Sequence, residues 1–253
     1  MAQCIFSTNS GVHLHLMIRA ITFDFWRTLF YANSNLQKRR EVRIDAVVRY
    51  TGASRDVVKG AMKAIDSEFL RVHIKEQRTL SPADAIPMLA LRLDVVFGAE
   101  EADALSGEFA DALLLYPPEP LEGALEAVRA AAERVPVGLI SDTGMVPGSR
   151  IQTLLEQHGF LSYLSHLSFS DEVGVAKPQP GMFQHAIDGL KVAPSELLHI
   201  GDLEPTDVKG AHSFGASAAL FCADNDRYME GSRAEFVFER WDDFTSNLAD
   251  FLS

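Results

Sequence analysis

The sequence predicts an α/β protein: a doubly wound parallel sheet of Rossmann-like type, interrupted by an all-helical insertion. Three observations carry this. Short apolar, β-branched runs alternate with helical patterns through the C-terminal half, as parallel strands linked by helices do. A long stretch near the N-terminus keeps helical spacing with no strand-like run inside it. Polar, chemistry-bearing residues directly follow several apolar runs, where open parallel sheets place their sites.

Residues 1–16 read as an extension ahead of the fold. They lack a basic n-region and a small-residue cleavage site, and Met17 directly precedes the first strand. That strand ends at Asp24. From about Leu36 to Tyr116 the spacing is helical throughout, as in Val57, Val58, Met62, Ile65 and Phe69, which suggests about four helices. Ser54 and Ser81 are candidate N-caps, with Asp84 three residues after Ser81. Pro117, Pro118 and Pro120 end the helical segment. Strands are then expected at Val135–Ser141, Leu164–Phe169, Leu197–Gly201, Ala218–Phe221 and Phe236–Phe238. Helices are expected around Arg150–His158, Gly181–Leu190, Thr206–Phe214 and Trp241–Leu252, with Phe183 in the core. The implied domains are an α/β core of 17–34 and 117–253 and a helical domain of 35–116.

A chain of 253 residues with 47% hydrophobic content can build a sizeable core. No apolar run approaches the roughly 20 residues of a membrane helix. Two cysteines, Cys4 and Cys222, are too few for a disulfide scaffold and suit a reducing cytoplasm. The net charge of −12 argues against a general nucleic-acid binder. That charge is unevenly spread: Leu36–Arg92 holds twelve Lys/Arg against seven Asp/Glu, a net of +5, which leaves −17 elsewhere. A basic segment over an acidic body could draw in a small anionic substrate, although solvated helix faces give the same count. Arg39, Arg40 and Arg43 divide between the same two readings.

The polar groups after the strands form one set. Asp24 stands in Ile21-Thr-Phe-Asp24-Phe-Trp26-Arg27-Thr28-Leu29, and Ser141-Asp142-Thr143-Gly follows the second strand. Lys177 precedes Pro178, and Gly201-Asp202-Leu-Glu204-Pro-Thr-Asp207 follows the fourth. Acid, hydroxyl, ammonium and acid pair can together hold an anion and a divalent metal. His13, His15, His73, His158 and His166 show no metal-ligand spacing.

At these residues the chain resembles the haloacid dehalogenase-like hydrolase superfamily. Four motifs match in order: the Asp24–Leu29 run, Ser141, Lys177-Pro178, and Gly201-Asp202 with Asp207. The flanks Ser170–Gly174, Gly210-Ala211 and Gly215 match too. The inserted helices are similar to the family's small cap. The resemblance implies Asp24 as nucleophile forming a covalent aspartyl intermediate. It implies Mg2+ held by Asp24, the backbone carbonyl of Trp26 and Asp202, with Asp207 supporting that shell. Ser141 and Lys177 would hold the transferring group, with Arg27, Thr28, Asp142 and Thr143 beside the substrate. Ser141 and Thr143 compete for the phosphate-binding role, and position favours Ser141.

One position departs from the pattern. The family's phosphatases usually carry a second aspartate two residues after the nucleophile, where this chain has Trp26, and Arg27 replaces a small residue. An indole N–H is only a donor and cannot shuttle a proton. The expected function is a Mg2+-dependent phosphatase for a small phosphorylated metabolite, with Asp142, or less well Glu204, as substitute acid. Two alternatives stand beside it. A dehalogenase-like hydrolase also has an aromatic residue at the Trp26 position, because halide leaves without a proton. A non-catalytic phospho-ligand binder would keep the fold.

Overall fold

The computed structural model describes residues 18–252. The proposed extension, Met17, Cys4, His13 and His15 lie outside the described residues. Six strands form one parallel sheet: β1 (Ala20–Phe23), β2 (Val137–Ser141), β3 (His166–Phe169), β4 (Leu197–Gly201), β5 (Ser217–Phe221) and β6 (Phe236–Phe238). Their spatial order is β3-β2-β1-β4-β5-β6. β1 is therefore central, with Ile21 beside Val137 on one side and beside Leu198 on the other. The winding reverses across β1, and a crevice at the C-terminal ends of the strands is the expected result.

Five helices lie between β1 and β2, and the first four form the inserted block: α1 (Leu36–Thr51), α2 (Arg55–Glu76), α3 (Pro82–Leu93) and α4 (Ala99–Leu115). They enclose a core of their own, with Ile44, Val47, Met62, Ile65, Leu89 and Phe109 buried together. Ser81 caps α3 in a capping box: its hydroxyl accepts from the Asp84 amide at 3.3 Å, and Asp84 accepts from the Ser81 amide at 2.7 Å. Ser54 holds the N-cap position of α2 but makes no side-chain capping bond.

The later helices are α5 (Ala124–Ala132), α6 (Gly148–Gln157), α7 (Ser170–Val173), α8 (Pro180–Leu190), α9 (Lys209–Phe214), α10 (Trp241–Ser246) and α11 (Leu248–Phe251). Several differ from expectation, among them the short α7, which was not anticipated. Helix α5 was not anticipated, because its buried face is Ala124, Ala127, Val128 and Ala131, and alanines give a weak apolar stripe. The helix expected from Thr206 begins as a π-helical turn over Glu204–Val208, and α-helical bonding starts only at Lys209. The closing helix is broken at Asn247 into α10 and α11.

The strands alternate between two cores. Ile21, Phe23, Leu139, Leu198 and Ile200 join Trp241 and Phe244 on one face. Ala20, Ile140, Leu197 and Leu220 pack with Phe183 and Ile187 on the other. Cys222 is a buried free thiol. Among the described residues, no helix is long and apolar enough to cross a membrane.

Candidate active site

Three adjacent strands bring the predicted residues together. Asp24 follows β1, Ser141 ends β2 and Asp202 follows β4. Lys177 reaches the same point from the loop before α8. Its ammonium donates to Asp24 Oδ1 at 2.5 Å, to Asp207 Oδ1 at 2.6 Å and to the Ile140 carbonyl at 3.1 Å. Asp24, Lys177, Asp202 and Asp207 are all buried, with at most 6% of any residue exposed.

The electrostatics follow from burial. Asp24 is raised well above the ordinary carboxylate range by loss of solvent, and Asp207 and Asp202 repel its charge while Lys177 partly opposes the rise. Asp202 is raised to about 7 by burial and by the charge of Asp207. Lys177 is held protonated despite burial, because Asp207 and Asp24 attract its charge. Asp207 stays ionised against its own desolvation through Lys177 and His199. One ammonium thus faces three buried carboxylates.

Asp207, expected to support the metal shell, sits in a network of four donors. Its Oδ1 accepts from Lys177 and from His199 Nε2 at 3.1 Å, and its Oδ2 accepts from the Leu203 amide at 3.0 Å and the Thr206 hydroxyl at 3.2 Å. These four donors fix the carboxylate beside Lys177. His199, in β4, is lowered first by its burial and is neutral. Asp207 can only accept, so the imidazole proton sits on Nε2, and Nδ1 accepts from the Thr22 hydroxyl at 3.0 Å.

The carboxylate pair Asp24 and Asp202 fits a divalent cation in charge and chemistry. Among the described residues no three His, Cys, Asp or Glu side chains converge in metal-binding geometry. Two carboxylates, a main-chain carbonyl such as that of Trp26, and water are a donor set that suits Mg2+, which retains several waters. Asn225, in the loop after β5, donates to Asp202 Oδ2 at 2.8 Å and orients it. It was missed in the sequence, because Cys222 and Ala223 separate the polar Asp224-Asn225-Asp226 run from the end of β5, whereas Asp24 directly follows β1.

The remaining predicted residues divide. Thr28 donates to Asp24 Oδ2 at 3.4 Å, and its carbonyl accepts from the Trp241 indole at 3.2 Å. Arg27 has a left-handed φ of 60°, and its Nε lies 3.8 Å from Asp224 Oδ2, so it points to the loop after β5. Thr143 is committed to structure: it donates to Asp171 at 2.9 Å and meets the Ser170 hydroxyl at 3.0 Å. Ser141 donates only to the Asp142 carbonyl, at 3.3 Å.

Asp142 is raised by burial. Its Oδ1 accepts from the Lys177 amide at 2.9 Å, and its Oδ2 lies 3.7 Å from His73 Nε2 on α2. His73 had no assigned role from spacing, since the helical block brings it to the sheet only in three dimensions. Glu204 accepts from Ser232 and the Arg233 amide and is engaged away from Asp24's partners. Arg39 and Arg43 are buried rather than on exposed faces. Arg39 donates to the carbonyls of Ser34, Tyr116 and Ala32, and Arg43 to those of Phe109 and Met145.

The family profile of the haloacid dehalogenase-like hydrolases matches residues 18–215. The chain belongs to this family. As a haloacid dehalogenase-like hydrolase it is 29% identical over 245 residues to (S)-2-haloacid dehalogenase 2 of Pseudomonas sp. (strain CBS-3), covering 93% of this chain and 97% of that one. It is 35% identical over 99 residues to a phosphoserine phosphatase of Thermus thermophilus, 39% of either chain. In fold it matches the 2-haloacid dehalogenase from Pseudomonas syringae pv. Tomato DC3000, with a TM-score of 0.70 at 17% identity over 93% of this chain and 100% of that one. Dehalogenases and phosphatases thus both stand among the relatives of this hydrolase.

Proposed function

We propose that this hydrolase is a Mg2+-dependent phosphatase for a small, anionic phosphorylated substrate. The observation that carries the reading is three buried carboxylates, Asp24, Asp202 and Asp207, around the single ammonium of Lys177, an excess of negative charge that a divalent cation would offset. Asp24, Asp202 and the Trp26 carbonyl would hold Mg2+, which when bound offsets carboxylate–phosphate repulsion. Asp207 would position Lys177 instead.

In this reading Asp24 attacks phosphorus, forming an Asp24–phosphate bond as the bond to the leaving oxygen breaks. Water then cleaves the aspartyl-phosphate and releases phosphate. Lys177 and Ser141 bind the transferring oxygens and their growing charge. Trp26 supplies no proton, and general acid help is typically worth roughly 10²–10⁴ in rate. Acyl and aryl phosphates, whose leaving groups are stable as anions, are therefore the expected substrates. Asp142, raised by burial and near His73, is the candidate proton donor for poorer leaving groups. The segment 35–116 would act as a cap that closes over the site and excludes water.

A second reading is a 2-haloacid dehalogenase-like activity. The near full-length similarity to a dehalogenase and the aromatic Trp26 favour it. The carboxylates Asp142 and Asp202 oppose it, since attack on carbon needs no second buried anion beside the nucleophile. One screen separates the two: aryl, acyl and alkyl phosphates and 2-haloacids, with and without Mg2+, with phosphate and halide release read separately. Metal-dependent phosphate release supports the phosphatase. Metal-independent halide release replaces it with the dehalogenase, and silence in both arms points to a binding protein.

A further inference from the structure

We infer that the cleft between the helical block and the sheet holds a second anion subsite, formed by Lys59 and Lys63. The substrate would carry a second negative group, a carboxylate or a phosphate, joined to its reacting end by an apolar body. This deepens the phosphatase reading and rests on it.

The cleft has a volume of about 770 Å³, the size of a small-molecule site. Trp26, two residues from Asp24, and Thr143 and Met145 line the sheet side, and α1 and α2 line the other. Five cationic side chains, Arg39, Arg40, Arg43, Lys59 and Lys63, face one acid, Asp66. A cleft with a formal charge of +4 is thus carved into a chain of −12. Low-dielectric walls focus such a field on an anion that enters.

The cations are not equivalent. Arg39 and Arg43 are spent on main-chain carbonyls, and Arg40 pairs with Asp66 at 3.5 Å. Lys59 and Lys63, one turn apart on α2, are exposed and pair with no carboxylate among the described residues. Arginines of the same block are paired, Arg49 with Glu108, Arg55 with Glu41 and Asp45, Arg71 with Glu68 and Glu76. The block's other cations that pair with no carboxylate among the described residues, Lys38, Lys75 and Arg92, lie outside the cleft lining. Of the cations lining the cleft, the two lysines are therefore the ones left for a ligand. They do not serve the reacting group, because Lys177 and Asp24 lie outside this lining. Ile44, Met62 and Val146 in the same lining supply the apolar stretch between the two charged ends.

The test compares phenyl phosphate, 4-carboxyphenyl phosphate and 1,4-phenylene bisphosphate on the wild type and on the double variant Lys59→Ala/Lys63→Ala. Both lysines are exposed, so a melting curve should show that the variant folds. The wild type is expected to prefer one or both doubly anionic compounds by about tenfold in kcat/KM, and the variant to bring that ratio close to one. Which compound gains tells carboxylate from phosphate. A wild-type ratio near one, or a ratio that survives in the variant, overturns the subsite. Absence of phosphate release from all three overturns the phosphatase reading instead. The subsite is then decided by calorimetric titration of 4-carboxyphenyl phosphate against phenyl phosphate. Tighter binding of the carboxylated compound, lost in the double variant, supports it, and equal binding overturns it.

Discussion

At the scale of single residues, the site is governed by what burial does to charge. Burial raises Asp202 to about 7 in the folded chain, against 3.8 for a free carboxyl such as that of the unfolded chain. Between these values the native state holds a proton that the unfolded state has released, so its contribution to stability falls as pH rises from about 4 to 7. Metal-free Asp202→Asn should therefore be more stable than the wild type at pH 8 and closer to it at pH 5. Mg2+ should raise the wild-type melting temperature more at pH 8 than at pH 5, and should not raise that of the variant. Thermal scans at the two pH values, with and without the metal, check both statements. Trp26 makes a separate prediction. Trp26→Asp should gain most on alkyl phosphates, by up to about 10² or more, and least on aryl phosphates. A uniform loss across leaving groups, read from kcat/KM, would show that the indole shapes the pocket instead. Asp24→Asn should keep the fold and stop turnover, and retained turnover would place the nucleophile elsewhere.

At the scale of elements, the ends of the strands matter more than the strands. A Cβ on Gly201 would lie 2.3 Å from Asp207 Cγ, inside any tolerable contact. Gly201 is thus required where β4 passes the carboxylate that holds Lys177. Gly201→Ala should push Asp207 off its four donors, lowering both the denaturation midpoint and activity, whereas Ser81→Ala at the α3 cap should cost about 1 kcal/mol and leave the site alone. Paired urea titrations and rate measurements separate the two. The motif glycine was legible in sequence, but its reason was not. The reason is a close approach that the π-helical turn over Glu204–Val208 creates by folding Asp207 back toward β4.

At the scale of the whole molecule, Arg39 ties the two passages between block and sheet, alongside Asn35, which donates to the Pro117 carbonyl, and Ser34, whose hydroxyl accepts from the Glu119 amide. Arg39 donates to Ala32 and Ser34 on the outgoing segment and to Tyr116 on the returning one. Arg39→Met would leave those carbonyls without their donor. Losing such partners typically costs about 1–3 kcal/mol per buried group, so the variant should unfold earlier and be cut faster by protease near 31–35 and 116–120. Cleavage at wild-type rates would show that the clamp is dispensable.

The sequence by itself determined the parallel α/β architecture, the strand order of the motifs along the chain and the residues Asp24, Ser141, Lys177 and Asp202. Each is local: apolar runs of strand length, helical spacing, and a polar group directly after a run. It also exposed the missing acid at Trp26, since that is a matter of residue type. Only the tertiary structure decided which carboxylates share Lys177, that Asp207 is saturated by His199, Leu203 and Thr206, and that Arg39 and Arg43 are buried. It alone brought His73 to Asp142 and gathered the basic residues of α1 and α2 along one cleft with Trp26. These facts depend on distances between segments far apart in the chain, and periodicity carries no information about which ends meet.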